Sequence, residues 1–200
     1  LGNLKYISGD VTIMNQGIQN FGNIESIGGQ YIFEGTNLGL TTFGKLKNYG
    51  GTIDCITKFN NLMDLGDITE INGNLIIGEN SALQTLGKLT KINGDLISEN
   101  SKIFELPNLK EITGNANFKG SQITTLPALE KVGSDFIINS SRVKEFPNLT
   151  FIGGDAGFQN NFTSNTQNIE TILGDLFLLN SRLMQFTNLK KIGKSINIKG

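Results

Sequence analysis

Residues 106–125 read LPNLKEITGNANFKGSQITT, and this stretch decides the fold because its pattern recurs along the whole chain. Units of 20–22 residues open at Leu1, Phe21, Phe43, Leu65, Leu86, Leu106, Leu126, Phe146, Thr166 and Phe186. A short repeat of this kind is the signature of a solenoid, in which each unit is one coil stacked on the last. Counted from the opening Leu or Phe, columns 1, 4, 7, 11, 13 and 18 are apolar and are expected to face inward. The spacing of two between columns 11 and 13 predicts a short strand with both side chains on one face, as in Leu75 and Ile77. A second, very short strand is expected to end at column 7. Coils this short leave no room for an ordinary helix. The predicted architecture is therefore an all-β solenoid: ten stacked coils of short parallel strands, little or no α-helix, and one domain spanning residues 1–200.

One coil cannot fold alone, because six buried apolar side chains do not offset the ordering of about 20 residues at roughly 1–2 kcal/mol each. Stacking must supply the rest, with coils about 4.8 Å apart in a rod about 45 Å long. Glycine at column 9 in eight of ten units suggests a backbone reaching positive φ once per coil. The Asp or Asn that follows is expected to bond its own backbone in that turn. A second corner carries Asn80-Ser81, Asn100-Ser101, Gly120-Ser121 and Asn180-Ser181. Ala116, Phe136 and Ala156 in column 11 stand beside Phe118, Ile138 and Phe158 in column 13, so small and large side chains compensate. Charges alternate too. Column 6 runs Glu70, Lys91, Glu111, Lys131, and column 5 contains Lys5, Glu25, Lys47, then Lys110, Glu130, and later Glu170, Lys190. Opposite signs on neighbouring strands are stabilising, which marks these charges as structural.

Seventeen basic and 18 acidic residues give a net charge of −1, so the footprint of a nucleic-acid binder is missing. No run approaches the roughly 18 apolar residues of a membrane helix, which argues against membrane insertion of this segment. Cys55, the one cysteine, occupies column 13 and reads as a small core residue. Neither end carries a polar cap, so the native protein is expected to continue in both directions, with any signal or anchor outside this fragment, or to have its ends covered. Self-association, end to end or face to face, stays open.

The string I-x-G-[DN]-Φ-x-Φ, an Asn-Ser turn, then Φ-x-x-[LF]-x-x-L is carried in one coil by Ile92, Gly94, Asp95, Leu96, Asn100, Ser101, Ile103, Leu106 and Leu109. It resembles the receptor L domain, an irregular relative of leucine-rich repeats found in growth-factor receptor ectodomains and in fungal and bacterial surface proteins. The flanking cysteines of the animal receptors are missing, and the composition looks more like the bacterial surface versions. The resemblance implies an extracellular or cell-surface setting, no cofactor, and binding instead of catalysis.

Column 12 lies between two inward columns and must face outward, yet it holds Ile32, Ile76, Ile97, Ile137 and Phe177. Extended by Met14, Ile56 and Leu179 in column 14, these predict an apolar stripe for a protein partner; β-propensity on a solvent-facing strand is the plainer reading. Asp135, Asp155 and Asp175 share a column in successive coils and suggest calcium, although turn capping explains the same residues. Lys102, Arg142 and Arg182, with Gln122 between two of them, mark a corner suited to an anionic surface glycan, or simply solvated. Sequons at Asn139, Asn148 and Asn161 carry no weight in a chain this rich in Asn, Ser and Thr. Three functions remain: a non-enzymatic recognition scaffold binding a protein or glycan over a sheet face, a structural stalk, and a polysaccharide-active β-helix enzyme. The last needs a walled cleft and acid–base groups, and there is no histidine. Irregularities at residues 57–64 and 159–168 mark expected sites of local opening.

Overall fold

The structure, a computed structural model, describes residues 2–14, 17–35, 38–161, 163, 166–181 and 185–198. Among these there is no helix. Every sequence unit contributes two short parallel strands, one at columns 6–7 and one at column 11 onward, as in Glu111–Ile112 and Ala116–Asn117. Nine units are complete turns, and the tenth stops at column 15. From coil three onward the first strands form one eight-stranded parallel sheet, here sheet one, and the second strands form another, sheet two. Partners in register are always one unit apart: Glu111 with Lys91 and Lys131, Ala116 with Leu96 and Phe136. A third side is marked by bridges at the residue preceding column 1, from Asn20 to Thr42, Asp64 and Thr85, and from Glu105 to Thr125 and Glu145. Along column 5 each N–H donates to the carbonyl one coil earlier, without a break from Glu25 to Lys190.

The six apolar columns face inward as the spacing predicts. Leu89, Leu109 and Leu129 form a buried row, as do Ile71, Ile92, Ile112 and Val132. Phe136 stacks in register between Ala116 and Ala156, and its ring meets Phe118, Phe146 and Phe158 edge-on at 6.1, 5.4 and 6.0 Å. The small neighbours in column 11 make room for that ring. Cys55 is fully buried, and burial pushes its thiol up to about 12.

Two turn assignments are corrected. No column 9 glycine has positive φ; the left-handed residues are column 2 glycines such as Gly22 and Gly44, and column 15, with Asn100 at 53°, Gly120 at 65° and Asn160 at 51°. At several column 9 positions the coils approach too closely for a Cβ: one on Gly154 would clash with Asp135 Oδ1 and lie 2.8 Å from the Ser134 carbonyl carbon, whereas Gly9 faces open space and Ser134 itself occupies the column. Column 10 likewise does not cap its own turn. Its Oδ1 accepts from the next coil's amide: Asp95 from Asn115 at 2.7 Å, Asp135 from Asp155 at 2.8 Å, Asp155 from Asp175 at 2.8 Å. One carboxylate therefore fastens two coils.

Between coils two and three both sheets part, leaving two-stranded ladders at the N-terminal end. There the Tyr31 ring covers Gly50, and its hydroxyl donates to the Asn48 carbonyl at 2.8 Å. Stacking continues through the column 5 bonds and through an aromatic cluster of Phe21, Phe33, Phe43, Tyr49 and Phe59. The extra residues of coil three are tied down: Asp54 Oδ1 accepts the amides of Ile56 and Thr57, and Phe59 fills the core at 1% exposure. In the eighth coil Asn161 and Thr163 are buried, and Thr166, which opens the ninth at column 1, is buried with its hydroxyl donating to the Gln185 carbonyl.

Candidate interaction surface

Sheet one presents charges whose partners lie within the solenoid. Lys5 and Lys47 flank Glu25 at 3.4 and 3.0 Å, Lys91 and Lys131 flank Glu111 at 3.6 and 3.1 Å, and Lys190 meets Glu170 at 2.9 Å. Lys110 and Glu130 are 3.9 Å apart. The predicted column 6 run is modified at one end, where Glu70 accepts from the Asn93 amide. Hydrogen bonds from Lys47 and then Lys5 hold the Glu25 carboxyl below the usual carboxylate range, and its charge in turn raises Lys47. Most charges of this face are thus matched from coil to coil, with Lys191 at the last strand outside the ion pairs among the described residues.

Sheet two differs. Its strands alternate a buried column 11 with a half-buried column 12, so Ile76, Ile97, Ile137 and Phe177 do face outward, partly shielded instead of fully exposed. Nor is the predicted stripe continuous. Ile32 belongs to the separate N-terminal ladder, where it pairs with Thr12. Ile76 and Ile97 are direct neighbours in register, Asn117 follows, and Gly157 stands between Ile137 and Phe177. Two apolar patches result. At the second, the missing side chain of Gly157 leaves a notch of 200 Å³ walled by Ile137 and Phe177 and edged by Asp135, Asp155, Asn139 and Gln159. In column 14, Met14 and Ile56 are 71% and 55% exposed, whereas Leu179 is half-buried.

The aspartates suggested for calcium stand along one edge of this face, each with Oδ1 engaged by the amide of the following coil. Among the described residues no group of three or more His, Cys, Asp or Glu could hold a metal ion. Lys102, Gln122 and Arg142 do fall in one column at the next corner; Arg182 lies outside the described residues. The sequon at Asn161 is closed, since this side chain is fully buried and donates to the Ile138 and Ser141 carbonyls. Asn148 donates to the Pro127 carbonyl at 2.7 Å. That bond belongs to a ladder the sequence reading missed, in which column 3 asparagines such as Asn23, Asn108 and Asn148 reach the column 2 carbonyl one coil earlier. The recurrence of Asn at column 3 was the available signal. Also missed was Phe104, 62% exposed on the third side. No helix among the described residues is long and apolar enough to cross a membrane. No protein-family profile, curated protein or solved structure matches this chain.

Proposed function

We propose that this solenoid is a non-enzymatic recognition module of a cell-surface or secreted protein, akin to receptor L domains, that holds a protein partner against the outer face of sheet two. The supporting observation is the contrast between faces: sheet one matches its charges internally, while sheet two offers Ile76–Ile97 and Ile137–Phe177 as half-covered apolar patches on a rigid support. A flat stack of coils suits an extended contact better than a deep pocket. The test replaces Ile97 and Ile137 together by Lys. Both proteins should melt alike, while the variant loses concentration-dependent association in sedimentation and loses surface crosslinks to a partner on the producing cells. Unchanged association by a folded variant removes the sheet-two reading. A stalk is the second reading, supported by the unbroken column 5 ladder, and it predicts indifference to the double substitution.

A further inference from the structure

We propose that the corner between sheet two and the third side, over coils four to eight, is a binding cleft for an acidic polysaccharide. Two notches open along it. The first, of 590 Å³, is lined by Glu79, Asn100, Lys102, Phe104, Gly120 and Gln122. The second, of 580 Å³, begins at Thr124 and takes in Ser140, Arg142, Lys144 and Asn160. Both are built from columns 15 to 19 of successive coils, so they form one line parallel to the solenoid axis.

Three observations point to a sugar chain. Phe104 is the one exposed phenylalanine among the described residues; the others are buried or half-buried. Its backbone is fixed, because its carbonyl accepts from Thr124 N at 2.8 Å and from the Thr124 hydroxyl at 3.3 Å. An exposed ring on a fixed backbone, beside the carboxamides of Asn100 and Gln122, can stack on the C–H face of a pyranose while those groups take its hydroxyls. Second, Gly120 stands at a left-handed position that is Asn or Ser in the flanking coils, so the first notch has no side chain of its own there. The Asn100 carboxamide oxygen stands where it would clash with a Cβ on Gly120.

Charge is the third. The lining residues include Lys102, Arg142 and Lys144 against Glu79 alone, on a protein of net charge −1. Glu105 and Glu145 occupy the neighbouring ladder position and line neither notch. Among the described residues Lys102 and Arg142 form no salt bridge, unlike the lysines of sheet one. Lys102, Gln122 and Arg142 rise one coil at a time, about 4.8 Å per step. In an extended two-fold polyuronate the carboxylates on one side recur at every second sugar, about two coil heights, which is the separation of Lys102 from Arg142 with the neutral Gln122 between them.

The experiment measures retardation of the full chain in native gels containing polygalacturonate, alginate or hyaluronate, with neutral dextran as control. Wild type should be retarded by at least one polyuronate and not by dextran, and raised salt should weaken the effect. Phe104→Ala should lower affinity about tenfold with an unchanged melting temperature, and the K102Q/R142Q double variant should abolish retardation. The I97K/I137K variant should be retarded like wild type, which keeps this site distinct from the sheet-two reading. No retardation of wild type by any of the three overturns the proposal, as does retardation that survives F104A undiminished, since bulk charge would then explain it.

Discussion

Sheets one and two close on one shared core with the same coil-to-coil register, yet their outer faces differ in character. On sheet one, Glu111 sits between Lys91 and Lys131; on sheet two, the residues in corresponding coils are Ile97, Asn117 and Ile137. Since both sheets stack equally well, the outer face does not determine whether the coils pile up. What differs is what remains for another molecule. Ion pairs that close within the solenoid offer a partner little, because their desolvation must be repaid before any contact is gained. Half-buried aliphatics next to a glycine gap present apolar surface at small desolvation cost. Under the proposed function, a partner therefore contacts sheet two, while most ion pairs of sheet one close within the solenoid.

The strongest way to break this comparison is to attack what the faces share. Phe136→Ala removes a ring packed against Phe118, Phe146 and Phe158, and should cost about 3–5 kcal/mol in chemical denaturation, dissolving both faces together. If sheet one kept its amide protection while sheet two lost it, the coils would not be a shared core. Gly154→Ala acts at the bend joining the sheets. A Cβ there meets Asp135 Oδ1 and the Ser134 backbone, so a loss of about 1–3 kcal/mol is expected, with amide exchange rising first at Asp155. A neutral result would mean that the column 9 glycines are not required by close approach.

Residues twenty apart being neighbours was legible at once, and so was everything that depends only on who stacks on whom. Leu89, Leu109 and Leu129 pile up, Glu25 meets Lys5 and Lys47, and Phe136 fits between two alanines, because these follow from register alone. What depends on the direction of a short side chain was not legible. Asp135 could reach its own turn or the next coil, both within hydrogen-bond distance of a turn residue, and only the path of the backbone decides for the latter. The apolar stripe was overdrawn for a related reason: column membership does not say that the second-strand ladder parts between Ile32 and Ile76, or that Gly157 opens a gap. Phe104 went unnoticed because it is the one aromatic in a column of mixed character, in which Thr124, Lys144 and Met184 take its place in other coils.

The smallest effect gives the sharpest distinction between the faces. A hydrogen bond from Lys131, with added attraction from Lys91 and against a weaker opposing effect of burial, holds the Glu111 carboxyl below the usual carboxylate value of about 4.3. Its folded pKa being depressed, this network adds stability above the unfolded value, and that contribution disappears as pH falls through the folded value. Both lysines are more than a third exposed, so solvent screening limits the whole to under about 1 kcal/mol. Glu111→Gln should therefore lower the melting temperature slightly at neutral pH and low salt, and not at all once Glu111 is protonated in the wild type. Ile97→Asn, on the other sheet, changes no titrating group, so its melting temperature relative to wild type should not vary with pH. Parallel pH profiles for the two variants would show that the charges of sheet one do not act as a coil-to-coil ladder.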